Sequence, residues 1–391
     1  GDTIELVAGT FKGATINKSV TIIGPNTFVN PSKETRAAEA IINSDLIIEA
    51  NDVEINGVCL TGEARIVGSA AISIENLSVK YVLVDKSTVN GKDNAAYYFV
   101  PNDNVIYKNI SITYSRTNAG SGRQMILYGY NLENLTISDC EFYGAYSTYN
   151  DGIKINNAGL FGVKGEVKIT NNSFDGYQQY TIWLMSYGAG NYVIENNKFN
   201  NIGVAAYHPA LRMDSYVDTE TDKVNVSFCF NTITKGYMFI RFEESKALTG
   251  DNTTVNVNYN LLINCSDAEF YIKNSNPSVK VNGDNNYYGT PNPSDSKFKN
   301  VTSHDNTYAS PEDVPTIDEI RGGGEVEKIY SKINYVLNGG EVIAASRYLE
   351  GVGYVLPIPT KVDFKFIGWS LTEGGTEYIT EISKDMKGDV T

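Results

Sequence analysis

Four five-residue segments recur at one fixed distance. GIKIN, TIWLM, ALRMD and FIRFE begin at Gly152, Thr181, Ala210 and Phe239, each 29 residues after the one before. Each alternates apolar and polar residues, which is the period of a β-strand and not of a helix. A strand that returns after a constant length of chain, with no helical pattern in between, stacks on its own copies and builds a solenoid. The equal step also returns equivalent residues to one line on the wall. Ile153 and Ile155, Ile182 and Leu184, Leu211 and Met213, and Ile240 and Phe242 are expected to face the interior. Lys154, Trp183, Arg212 and Arg241 then form an outward row, with Asn156, Met185, Asp214 and Glu243 beside it. QMILY upstream extends this row to Ile126 and Tyr128, and FYIKN downstream extends it to Tyr271 and Lys273.

A second motif runs through the same region. LTISDCEF, VKITNNSF, YVIENNKF, VSFCFNTI and VNVNYNLL share a small polar position, occupied by Cys140, Asn172, Asn197, Asn231 and Asn260. An asparagine recurring at one corner can hydrogen-bond its copy in the next coil, forming a ladder. Cys140, at the first rung, is expected to interrupt it. Shorter coils, about 20 residues each, precede this region. The polar stretch Pro25 to Ala40 reads as a loop or a short capping helix. VKVNGDNNYYGTPNP, from Val279 to Pro293, reads as the closing coil, with a last strand and cap through Tyr308.

Composition agrees with many short strands joined by turns: 27 Tyr, 35 Gly and dense Asn clusters. The formal net charge of −14 excludes binding to a nucleic-acid backbone, which needs basic patches. No run of 18 apolar residues is present, so no membrane insertion is expected within this chain. Two His residues, His208 and His304, are too few for a His-based metal site, and His208 reads as structural. The four Cys lie far apart and read as buried small hydrophobes. The chain opens directly on a β motif, which we read as the start of a mature segment whose targeting sequence has been removed.

Two resemblances add to this. Gly1–Ile4, Gly9–Phe11 and Lys18–Gly24 resemble the first coil of right-handed parallel β-helix proteins of the pectate-lyase-like class, with Phe11 in place of Tyr. That resemblance implies an all-β, single-stranded right-handed parallel β-helix over residues 1–310. It implies no activity, because the architecture hosts lyases, hydrolases, phage proteins and adhesins. Residues 311–331, with SPEDVP and a triple glycine, read as a linker. Beyond it, Tyr335, Leu337–Gly340, Leu356, Pro357, Pro359, Thr360, Phe364, Phe366, Gly368, Trp369 and Gly388–Thr391 resemble the Listeria–Bacteroides (internalin B-type) repeat. This implies a small β-grasp-like module at 332–391 on a secreted or cell-surface bacterial protein. The repeat's pattern continues past GDVT with a final strand, so the module is expected to be truncated by one strand.

The outward row is the candidate site. A Trp on an exposed strand presents an apolar face on which a sugar ring can lie, and Arg212 and Arg241 can clamp an acidic sugar. The Tyr-rich loops before the strands (Tyr143, Tyr146, Tyr149, Tyr177, Tyr180) are expected to wall a groove. The competing reading is a solvated charge lattice, Arg212 with Glu243 and Arg241 with Asp214. For catalysis the candidates are Asp214, Glu243 and Arg212. Carboxyls on adjacent coils suit a retaining glycosidase, yet neighbouring Arg residues favour ionisation of both. No metal or cofactor is expected beyond Ca2+, for which Asp214, Asp218, Glu220 and Asp222 offer oxygen ligands; a charged, flexible loop is the competing reading. Three functions stay open: a non-catalytic adhesin-like protein that binds a polysaccharide or a host or neighbour cell-surface glycan or protein; a polysaccharide lyase or glycoside hydrolase acting on an acidic polysaccharide; and a structural stalk.

Overall fold

Short strands, paired only in parallel, make the wall of a β-solenoid that occupies most of the chain. A computed structural model describes residues 1–391 except 69–72, 86–93, 103, 119–123, 145–150, 156–160, 204–207, 219–221, 244–246, 266–268, 322–329, 343 and 345–346. Among the described residues one sheet has 22 strands and a second has 10, and most strands pair with their equivalents one coil before and one coil after. Val163–Thr170, the second half of Ile182–Glu195, Val224–Cys229 and Thr253–Asn256 follow one another in the large sheet. Ser173–Asp175, Lys198–Asn200 and Thr232–Thr234 do the same in the smaller one.

Alternation decides what each strand buries. Val167, Tyr192, Val226 and Val255 share one inward column, and Ile169, Ile194 and Phe228 share another; all are at most 1% exposed. Phe142, Phe174 and Phe199 stack along the smaller sheet with ring centroids 5.2 Å apart at each step. A fully buried side chain of this size contributes about 1.5–3 kcal/mol, and here each copy is the cover for the next.

The paired asparagines mark a corner and have two jobs. The first of each pair, Asn171, Asn196 or Asn285, takes left-handed backbone, with φ of 59°, 54° and 56°. Asn tolerates this better than other non-glycine residues. Phe230 and Tyr259 adopt the same conformation without that advantage. Their rings stack at 5.1 Å, which offsets part of the cost. The second residue turns inward. Asn172 donates from its backbone and side chain to Asn197 Oδ1 (3.0 Å each), Asn197 to Asn231 (3.0 and 3.1 Å), Asn231 to Asn260 (2.8 and 3.1 Å) and Asn260 to Asn286 (2.7 and 3.0 Å). Asn286 is a rung that the sequence reading left out. Cys140 does not interrupt the ladder. Its backbone N–H donates to Asn172 Oδ1 at 3.1 Å, its sulfur accepts from the Ser115 N–H at 3.4 Å, and Ser115 Oγ accepts from the Val82 N–H. What the position requires is an acceptor, and sulfur and hydroxyl supply one. All four Cys are buried and unbridged.

Pro25 to Ala40 contains turns and no helix. Arg36 fills this excursion, donating to the carbonyls of Val29 and Tyr81 and pairing with Glu39 at 2.6 Å. The far end closes as Phe298–Lys299 pairs with Ile272–Asn274 and Tyr288 packs against Phe298. The segment after it is not free along its length. Ile317–Arg321 is helical, and Arg321 reaches back to grip Glu195 with two hydrogen bonds, 2.7 and 2.9 Å. The triple glycine lies outside the described residues. The C-terminal module pairs Tyr330–Lys332 with Arg347–Leu349 and Tyr354–Val355 with Glu381–Ile382, both antiparallel. It touches the opposite end of the solenoid, where Arg347 pairs with Glu34 and Tyr354 meets Phe28 edge-on at 6.2 Å.

Candidate functional site

The strand register returns the predicted row. Tyr98, Tyr128, Lys154, Trp183, Arg212, Arg241, Lys273 and Lys299 are successive partners along one column of the large sheet. Two expected members are absent. Ile126 is 2% exposed and packs in the core cluster beside Leu127, the register partner of Ile153. Tyr271 is also buried, stacked on Tyr288 at 5.3 Å. Asn156 lies outside the described residues, as do Tyr146, Tyr149 and Glu220.

At the centre of the row the side chains order one another. Lys154, one coil before Trp183, holds Nζ 4.4 Å from the indole centroid; Arg212, one coil after, holds its guanidinium carbon 4.9 Å from it. The register puts these cations on opposite sides, so the ring faces are taken. The sequence reading gave Trp183 an open face, whereas the folded protein leaves it an edge. Its Nε1 donates to Asp214 Oδ2 at 2.8 Å, and the Tyr180 ring lies against it at 4.6 Å. Tyr98 and Tyr128, further along the column, stack on each other 5.6 Å apart and nearly parallel.

Charge pairing follows the coil more than the sequence reading allowed. Arg212 Nε bonds Asp214 Oδ1 at 2.6 Å and also approaches Glu243, with Nη2 3.8 Å from Oε1. Arg241 pairs with Glu243 on its own strand and not with Asp214. The carboxyls expected to flank a glycosidic bond are thus joined through Arg212. Lys154 sits 3.6 Å from Asp151. Arg212, Asp214, Arg241 and Glu243 have side chains only 16–26% exposed, so these pairs are partly shielded from water and from salt.

Two residues outside the row complete the cluster. Tyr180 donates its N–H to Asp151 Oδ1 at 3.2 Å and accepts a bond from Arg212 on its hydroxyl. Burial raises the Tyr180 pKa, with Arg212 and Arg241 opposing. His208 meets Tyr180 edge-on, with centroids 4.0 Å apart. Its pKa is lowered to about 4, by burial first and then by Arg212 and Arg241, and its Nδ1 has no hydrogen-bond partner among the described residues. His208 was read as structural; Asp151 was not singled out. The 29-residue step would have found Asp151 and Tyr180, which are themselves one step apart. His208 comes from a loop that breaks the period.

The remaining expectations fall elsewhere. Tyr177 is 1% exposed, and Tyr143 stands on the smaller sheet, bonded to Glu141, so neither walls the row. Asp214 turns to Trp183 and Arg212, while Asp218 accepts the Ala189 N–H at 2.6 Å, so these two do not converge on an ion. Among the described residues no group of three His, Cys, Asp or Glu side chains is gathered as a metal site. A cleft of about 560 Å³ lies in the C-terminal module, lined by Tyr335, Leu356, Phe364, Phe366 and Trp369 among others. Comparison with family models, with curated proteins and with solved structures gives no match.

Proposed function

We propose that this chain is an adhesin-like protein displayed outside a bacterial cell, which binds a glycan along the Lys154–Arg241 row and leaves it chemically unchanged. The observation that carries this reading is the Arg212 guanidinium, which contacts Asp214 and Glu243 together. A retaining glycosidase needs two carboxyls free to meet the glycosidic bond from either side, and here one guanidinium engages both. What remains is a fixed array of donors and acceptors on a rigid sheet, suited to hydroxyl recognition by hydrogen bonds. The resemblance to the Listeria–Bacteroides repeat supports the extracellular setting. A glycan array probed with the whole chain tests it. Retention should fall at least about tenfold in Arg212→Ala with Arg241→Ala, the loss of more than one charge-assisted bond. Equal retention by wild type and the double variant rejects the row as the site.

One observation favours a second reading, a polysaccharide lyase. Tyr180 and His208 lie against each other beside Arg212. A phenol and a neutral imidazole are groups that take and return protons, and a guanidinium can neutralise a substrate carboxylate next to the carbon that loses one. Incubation with a panel of uronate polymers, followed by ultraviolet absorbance of unsaturated ends, decides it. Turnover abolished by Tyr180→Phe establishes the lyase, and no absorbance change across the panel removes it.

A further inference from the structure

Charge bookkeeping along the row points to the class of glycan. The three cations at its centre are each matched within the site. Lys154 has Asp151, Arg212 has Asp214 and Glu243, and Arg241 has Glu243. Three positive and three negative side chains sum to zero over Lys154, Arg212, Arg241, Asp151, Asp214 and Glu243. Around them the chain as a whole carries −14, a field that repels a polyanion on approach. An anion entering the site would also lie against Asp214 and Glu243, whose side chains are only 16% and 23% exposed, so that their charge is weakly screened by water. A hydroxyl group meets no such conflict. It can accept from an arginine N–H and donate to the paired carboxylate at once, using both members of an ion pair without separating them.

We propose that the row recognises an uncharged, hydroxyl-rich glycan chain and discriminates against polyuronates and sulfated glycans. This rests on the glycan-binding reading above. The paired carboxylates become the specificity determinants: they accept from sugar hydroxyls and turn polyanions away. Arg65, the register partner of Tyr98 at one end of the column, and Lys273 and Lys299 at the other are further cations beyond this matched set, and the salt dependence below reports whether they dominate.

The test is titration calorimetry of the full chain against neutral hexasaccharides of glucose, xylose and mannose, and against hexagalacturonate and a heparin hexasaccharide, at low and high salt. At least one neutral oligosaccharide should bind, with an affinity that changes less than about twofold between the two salt conditions, because no net charge is neutralised. Asp214→Asn and Glu243→Gln should each weaken that binding about tenfold, the loss of one charge-assisted acceptor. Tighter binding of an anionic hexasaccharide, falling steeply with salt and strengthened by Asp214→Asn, overturns the proposal while leaving the row a glycan site. Absence of binding by every probe overturns the proposal and the glycan reading together. A circular-dichroism melt of each variant identifies one that fails to fold, and Glu243→Gln then carries the comparison for Asp214→Asn.

Discussion

The solenoid and the C-terminal module use similar residues and bury them very differently. In the solenoid, Ile153, Ile182, Leu211 and Ile240 are all 0% exposed. In the module, Val336, Ile358, Val362, Phe364 and Ile367 are 64–84% exposed, and among the described residues Ile333, Tyr348, Leu356 and Ile382 form the buried cluster. The difference is one of neighbours. A coil is too thin to bury its own interior, but it has a near copy above and below. A module of two two-stranded ribbons has no copy to lean on, and such ribbons are marginal alone. Repetition, more than hydrophobicity, makes this sequence stable.

The chain carries a probe in each region: Trp183 in the solenoid and Trp369 in the module, the two Trp residues it has. The sharpest way to break the comparison is Asn231→Ala. It removes the acceptor for two donors of Asn197 and leaves a void in a fully buried position. The expected loss is about 3–5 kcal/mol, seen as an earlier urea transition of Trp183 fluorescence with that of Trp369 unmoved. Coincident shifts of both probes would show that the two regions unfold as one. Arg321→Ala comes next. It strips the guanidinium from Glu195, whose side chain is 4% exposed, and should cost about 2 kcal/mol, discounted because Arg321 itself is half exposed. Limited proteolysis should then cut the segment between the two regions faster; an unchanged cleavage rate argues against the grip.

His208 tests the solenoid alone. Its folded pKa, about 4, lies below the ordinary 6.5, with Tyr180, Arg212 and Arg241 facing it. The unfolded chain therefore takes up the proton first as pH falls. This residue's contribution should be intact above pH 6.5 and lost progressively down to about pH 4. His208→Asn should flatten the thermal-melt dependence over that window without changing it above. The smallest effect belongs to the module. Phe364→Ser, at a position 70% exposed, should move stability by no more than about 0.5 kcal/mol while reducing self-association in light scattering.

The sequence announced what repetition controls. The 29-residue step placed Lys154, Trp183, Arg212 and Arg241 in one column, and the Asn positions named the ladder, because strand register and inward alternation are properties of the period. What escaped depends on the space between coils. The cations over Trp183, and the choice of Glu243 over Asp214 by Arg241, follow from side-chain directions that no spacing encodes. Arg321 meets Glu195 across 126 positions of sequence, outside any repeat. Ile126 shares its strand face with Tyr128 but is covered by core packing, which spacing does not encode.

The asparagine ladder also sets the unit in which this protein can change. Each rung bonds the next rung and a carbonyl of the coil before it, so an entire coil could be duplicated or deleted and the rungs on either side would meet as before. A lone inserted residue has no such remedy, since it would carry one asparagine off the corner and strand its partners. Length in such a molecule is inherited in whole turns.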